Sequence, residues 1–240
     1  MTPQTNDTGD SLFMKRISFL THNWLSTTWH NVFLRAIAPR IIGTCYDLGC
    51  GKQPYKEFIE SLGAKYVGVD WDNSQHGVSP DISANLNEHL PLEDNVADTV
   101  LSISVIEHLC EPELFLREVK RILQPNGSLI LQVPFQWWVH EAPHDYYRYT
   151  NFGLEYLLKK VGFHDIDVVA NTGFWSTWIL KFNYHSVRYI RGPYPLRLLI
   201  RAFLLPIWLV GQTVAPFLDR VDRNEAETAS YTVVARKSNL

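Results

Sequence analysis

Between Thr44 and Ala170 the apolar pattern switches repeatedly between short Val/Ile/Leu-rich runs and stretches with helical spacing. TCYDLG (44–49) reads as a strand entering a Gly-rich turn. Lys52–Leu62 reads as a helix stopped by Gly63, and KYVGVD (65–70) as a strand ending in an acid. Residues 79–83 form a weak third strand, and ADTVLSISV (97–105) is a fourth of the fully buried type. Glu111–Leu123 is a helix that opens near Pro112 and stops before Pro125-Asn126-Gly127. SLILQVP (128–134) is a fifth strand. Asn151–Val161 is a helix capped by Thr150 or Asn151 and ended by Gly162. HDIDVVA (164–170) and SYTVVARK (230–237) complete the strands. Such alternation predicts a parallel sheet with helices on both faces.

The flanks differ. Residues 1–10 are polar and aperiodic, the pattern of a disordered tail. Leu12, Phe13, Ile17, Leu20, Trp24, Trp29, Phe33 and Ile37 recur at helical spacing, so residues 11–42 form one or two covering helices. The domain proper is then 43–171 with 229–240, interrupted by a helical insertion at 172–228.

Composition narrows the classes. The chain has 240 residues and a net charge of −3, which disfavours general nucleic-acid binding. Cys45, Cys50 and Cys110 are too few and scattered for a disulfide framework or a zinc site, so a reducing, cytoplasmic setting is expected. The N-terminus lacks a secretory pattern, and no uninterrupted run of about 20 apolar residues predicts a clear span.

Candidate chemistry begins at Asp47-Leu48-Gly49-Cys50-Gly51-Lys52-Gln53-Pro54. Two glycines let backbone N–H groups approach a ligand. Pro54 stands where a dinucleotide fingerprint needs its third Gly, and Asp47 would repel a pyrophosphate. The turn therefore suits a cationic ligand, or is a plain strand–helix turn. Asp70, about twenty residues on, is placed to accept both hydroxyls of a ribose, or to cap its own turn.

With these residues in order, the sequence resembles class I S-adenosylmethionine-dependent methyltransferases. The likeness rests on DLGCGKQPY (47–55), VGVD (67–70), LPLEDNVADTVLSISVIEHL (90–109) and RILQPNGSLILQVPF (121–135). It implies a Rossmann-like α/β fold with a seven-stranded mixed sheet, the last strand antiparallel. It implies that Asp47, Gly49, Cys50 and Gly51 cradle the methionine end of the cofactor, with Asp70 on the ribose and Trp71 against the adenine. Either Asp81 or Asn85 would serve the adenine amino group, and Ser104 would line the methionine pocket. Some quinone O-methyltransferases add an acid one turn before Glu107 to make a metal site. Ile103 stands there, so no metal is expected, and Glu107 reads as a pocket residue contacting substrate.

After the fifth strand, residues 134–150 gather two His, two acids, one Arg and six aromatics. His140, His144 and Asp145 are candidate bases for a hydroxyl acceptor. Arg148 would pair with an acidic substrate group or with Asp145, and Trp137 and Trp138 would stack on sugar rings. HEAPHDYYRYT (140–150) resembles a methyltransferase subgroup associated with bacterial polysaccharide synthesis, which implies a glycan or lipid-linked glycan acceptor. A lipid or quinone-like acceptor is the alternative, and a non-catalytic scaffold at the membrane is the rival from another class.

In the insertion, Lys181, Arg188, Arg191, Arg197 and Arg201 precede or flank the apolar stretch Ala202–Val210. That is the composition of an interfacial membrane element at 196–218, on the inner face of the cytoplasmic membrane, or of a helix buried in a core. Pro206 is expected to kink the helix, and Gly211 and Pro216 to end it.

Overall fold

The computed structural model describes residues 17–71, 79–222 and 224–239, so the expected tail at 1–10 lies outside the described residues. Seven strands follow in chain order: β1 (Thr44–Leu48), β2 (Lys65–Asp70), β3 (Ile82–Ser83), β4 (Ala97–Ile103), β5 (Leu123–Pro134), β6 (Phe163–Ala170) and β7 (Ser230–Lys237). The helices are α1 (Trp24–Ile37), α2 (Lys56–Ser61), α3 (Pro112–Ile122), α4 (Asn151–Val161), α5 (Phe174–Val187) and α6 (Tyr194–Asp222). The strands make one mixed sheet in the order β3-β2-β1-β4-β5-β7-β6, as expected of a class I methyltransferase fold.

The order follows from burial. β4 and the second half of β5 are largely buried, with Val100 and Leu101 in β4 and Leu129, Ile130 and Val133 in β5 inaccessible, which suits strands covered on both faces. They pair in parallel, with Val100 opposite Leu129 and Ile103 opposite Gln132. β1 pairs in parallel with both β2 and β4. The strand order reverses between β1 and β4, the point beyond whose carboxyl ends such sheets bind ligands.

The chain divides into two units. The first, Arg35–Val169 with the segment from Tyr231 onward, holds the sheet except for residues at the β6 and β7 ends. Within it α4 is bounded as its sequence dictates. Thr150 Oγ1 accepts from the Gly153 N–H at 3.0 Å, and Gly162 takes the left-handed conformation (φ 92°) that stops the helix.

The second unit runs through Leu34 and from Ala170 to Ser230. Here α5 and α6 pack antiparallel. Gly211 of α6 lies against Ile179 of α5, so closely that a Cβ would meet Ile179 Cδ1 at 2.8 Å. Trp208 Nε1–H donates to Ser186 Oγ at 2.9 Å, and Asp219 accepts from the Trp175 and Ser176 N–H groups at the start of α5. That carboxylate supplies the cap Gly173 cannot. The segment before α1 joins them: Asn183 donates to the His22 carbonyl and Gln212 to the Phe19 carbonyl.

α6 corrects one expectation. The helix runs through Pro206, Gly211 and Pro216 to Asp222 instead of ending in the middle. Each proline removes one ladder hydrogen bond. The packing of Leu204, Trp208, Gln212 and Ala215 on one side outweighs that loss. Gly211 is a point of close approach, not a stop.

Candidate active site

Four loops leave the carboxyl ends of β1, β2, β4 and β5, and they carry nearly every residue singled out in the sequence. The turn after β1 is fixed by main-chain bonds: the N–H groups of Gly49 and Cys50 both donate to the Val69 carbonyl. Gly49 sits at φ +82°, and a Cβ there would meet Val105 Cγ2 at 2.4 Å. Only glycine fits, for backbone and for space. Gly51 is also left-handed (φ 50°), and its N–H donates to Asp70 Oδ2 at 2.6 Å. Asp70 thus ties the end of β2 to the β1 turn, with its other oxygen on the Trp71 N–H. A carboxylate has about four lone-pair sites, so two remain for incoming hydroxyls.

Asp47 is 1% exposed and accepts the Tyr66 hydroxyl at 2.9 Å. Burial pushes its pKa up to about 7. The Tyr66 hydrogen bond works against that rise, and the Asp70 charge adds to it. A buried acid this reluctant to ionise gains from a cation delivered next to it. Together the donor set suits a small ligand bearing a positive charge and a ribose. Asp47 with the backbone of Gly49, Cys50 and Gly51 would hold the methionine end of S-adenosylmethionine, and Asp70 its ribose. When bound, that cofactor supplies a methyl group already activated on a sulfonium.

The remaining predicted cofactor residues are placed as follows. Trp71 is half exposed just past β2, with its ring 6.4 Å from that of His144. Asp81 accepts the Gly68 N–H at 2.7 Å, so it pins β2 to the start of β3. Asn85 builds its own turn, accepting the Asn87 N–H and donating to Glu88. Ser104 adopts φ 54° as the chain leaves β4, and its N–H donates to the Gln132 carbonyl.

The acceptor side is assembled from two segments. Glu107 and His108 lie in a 3-10 turn, Ile106–His108, after β4. The loop after β5 is clamped to that turn, since the Tyr146 and Tyr147 N–H groups both donate to the Glu107 carbonyl. The clamp brings His140 beside His108, with ring centroids 4.7 Å apart. Glu107 Oε1 lies 3.7 Å from His108 Nε2 and 3.9 Å from His140 Nε2. The Glu107 side chain is fully buried, and neither oxygen has a hydrogen-bond partner among the other described residues. Burial pushes its pKa up to about 8, with Arg148 acting in the opposite sense.

Two candidates change role. Asp145 is held by both arms of Arg148, at 2.6 and 2.7 Å, and also accepts the His140 N–H at 2.9 Å. Arg148 keeps its carboxyl well below the usual range, so Asp145 cannot serve as a base near neutral pH. It positions His140 instead. Arg148 also donates to the carbonyls of Trp138 and Tyr147, so it locks the loop and has little left for a substrate. His144 is exposed, with Nδ1 3.2 Å from the Tyr146 hydroxyl, and its carbonyl meets His108 Nδ1 at 2.7 Å. Trp137 and Trp138 stack on each other at 4.1 Å. Sequence reasoning passed over His108 as a functional side chain. Its signal was its place beside Glu107 at the end of β4.

Comparison with known proteins agrees with this geometry. Residues 46–131 match the family described as "Methyltransferase domain". Over 174 residues the chain is 27% identical to a "Ubiquinone biosynthesis O-methyltransferase" from Cereibacter sphaeroides, covering 60% of this chain and 70% of that protein. Over 113 residues it is 32% identical to a "Probable S-adenosylmethionine-dependent methyltransferase" from Mycobacterium tuberculosis, covering 44% of this chain and 41% of the relative. The fold resembles an S-adenosylmethionine-dependent methyltransferase from Archaeoglobus fulgidus (TM-score 0.57, 15% identity, 89% of this chain and 94% of that one). It also resembles phosphoethanolamine N-methyltransferase 2 of Haemonchus contortus, solved with S-adenosyl-L-methionine (TM-score 0.54, 16% identity, 93% of this chain and 61% of that one). The sequence matches carry the chemistry and the solved structures carry the fold: the chain is an S-adenosylmethionine-dependent methyltransferase built on a class I methyltransferase fold.

Proposed function

We propose that the protein methylates a hydroxyl oxygen on an amphiphilic, lipid-borne acceptor, with a phenolic or quinone-type ring as the first class to test. The observation that carries the oxygen assignment is the pair of imidazoles, His108 and His140, turned towards Glu107. A hydroxyl must lose its proton as it is methylated, and an imidazole suits that task. His140 is the base in this reading, held by Asp145, while Trp137 and Trp138 wall the acceptor pocket. Similarity to a protein named for ubiquinone biosynthesis supports a ring hydroxyl.

The lipid-borne part rests on α6. It is the one helix among the described residues long and apolar enough to cross a membrane by length and composition. Leu199, Phe203, Val210, Val214, Phe217 and Val221 line its exposed side, away from the face packed on α5. Arg191, Arg197 and Arg201 are exposed around its N-terminal end. An apolar stripe with a basic end suits anionic lipid, with the helix lying in the interface.

A sugar hydroxyl on a lipid-linked glycan is the second reading, favoured by the stacked Trp137–Trp138 pair, whose flat faces suit a sugar ring.

The test is transfer of labelled methyl from S-adenosylmethionine to four acceptor sets: polyprenylated phenols, lipid-linked sugars, water-soluble sugars and amines. Label on the phenols, lost in His140→Ala, is the expected result. Label confined to amine acceptors would overturn the oxygen assignment. Label confined to water-soluble sugars would overturn the lipid-borne one.

A further inference from the structure

Three electron-pair donors meet at the acceptor side with no hydrogen bond between them. Glu107, His108 and His140 each bring one possible ligand atom to within 4.8 Å of the other two. The 3.7 and 3.9 Å separations from the carboxylate are too long for hydrogen bonds. Each ring is held from behind. His108 Nδ1 is 2.7 Å from the His144 carbonyl, so that nitrogen carries the ring proton. His140 Nδ1 is 3.3 Å from the Trp138 carbonyl, 3.4 Å from Asp145 Oδ2 and 3.3 Å from Arg148 Nη2, so three groups hold that edge of the ring. Rings held this way turn their Nε2 atoms towards Glu107.

Lone pairs facing a buried carboxylate are unfavourable unless a cation lies among them. A proton would satisfy one pair of atoms; a metal ion would satisfy all three. Three donors at 2.0–2.1 Å from a tetrahedral ion stand about 3.3 Å apart, so the two separations from Glu107, 3.7 and 3.9 Å, need to close by roughly half an ångström. Backing of each imidazole by a carbonyl or carboxylate is what metal-ligating histidines use to fix tautomer and orientation. We propose that Glu107, His108 and His140 bind a divalent transition-metal ion of the zinc type. Two nitrogens and one carboxylate oxygen favour such an ion over magnesium or calcium, which prefer oxygen donors.

The sequence reading expected no metal because Ile103 occupies the place of a further acid. The third donor comes instead from the loop after β5, brought in by the Glu107 carbonyl clamp. Three protein ligands leave a position open. An acceptor hydroxyl bound there would ionise more readily and release its proton to water, so that with the ion bound His140 serves as a ligand and the metal takes over the activation assigned above to His140 as base. That role rests on the oxygen-methylation reading; the binding site itself does not.

The test uses the full chain, stripped with a chelator, dialysed, and reloaded with zinc or cobalt(II). Elemental analysis counts bound metal, and the visible absorption of cobalt reports nitrogen ligation. Wild type is expected to retain one equivalent per chain. Glu107→Gln and His140→Ala are expected to bind about tenfold more weakly or worse, with unchanged circular dichroism and unchanged affinity for S-adenosylhomocysteine. Traces of metal in folded wild type, equal retention by the variants, or selection of magnesium over zinc would each overturn the site. Metal bound with no hydroxyl acceptor methylated would uphold the site and overturn the oxygen reading. Equal methylation of hydroxyl acceptors by stripped and reloaded enzyme would overturn the metal's role in activation.

Discussion

Arg148 grips Asp145 through two parallel hydrogen bonds of 2.6 and 2.7 Å, and Asp145 in turn accepts the backbone N–H of His140. The planar guanidinium fork matches a carboxylate in a way lysine cannot. Arg148→Lys should therefore lower stability, and Arg148→Ala should cost about 2 kcal/mol, between the values for exposed and buried pairs. Asp145 is held below the usual carboxylate range by Arg148. Its contribution is thus fully present above the unfolded carboxylate pKa of about 4 and is lost as pH falls below it. Urea unfolding of both variants at pH 7 and at pH 3.5 checks this: the wild-type advantage should shrink at the lower pH.

Asp47 makes the opposite prediction. Burial raises its pKa to about 7, so the folded chain holds a proton that the unfolded chain gives up near pH 4. Cofactor-free protein should lose stability as pH rises from about 4 to about 7, and then level off. Each unit of displacement is worth about 1.4 kcal/mol. Asp47→Asn keeps an acceptor for Tyr66 and should melt higher than wild type at pH 8, with a flatter profile. The same variant should bind S-adenosylhomocysteine more weakly.

Gly49 tests the turn itself. Its φ of +82° and the 2.4 Å approach to Val105 Cγ2 leave no room for a methyl group. Gly49→Ala should cost about 1–3 kcal/mol of stability and abolish measurable cofactor binding by calorimetry.

On α6, two substitutions separate surface from core. Phe203 is 71% exposed and Trp208 only 6%, with its indole N–H on Ser186. Phe203→Asp should leave the melting temperature nearly unchanged but abolish co-flotation with anionic liposomes. Trp208→Ala should cost about 3–5 kcal/mol. Flotation unaffected by Phe203→Asp together with Phe217→Asp would count against lipid attachment.

How much of this was legible in the sequence depends on the range of the interaction. α4 could be bounded residue by residue because Thr150 and Gly162 are local signals, and β7 because Tyr231, Thr232, Val233 and Val234 are consecutive strand formers. The turn at Gly49–Gly51 and the acid at Asp70 were legible because strand–turn chemistry is written in consecutive residues. The long course of α6 was not, since tertiary packing against α5 outvotes Pro206 and Pro216. Nor was the demotion of Asp145 from base to positioning residue, which depends on where the Arg148 fork points. The meeting of His140 with Glu107 and His108 spans more than thirty residues and depends on a main-chain clamp, which no spacing rule encodes.

The most direct test of the account is calorimetric titration of S-adenosylhomocysteine into wild type and Asp70→Ala, with the fold of each verified by circular dichroism. The account predicts one site per chain in wild type, weakened about 10- to 100-fold when the charged acceptor at the end of β2 is removed. No binding to wild type, or equal binding to both proteins, would contradict it.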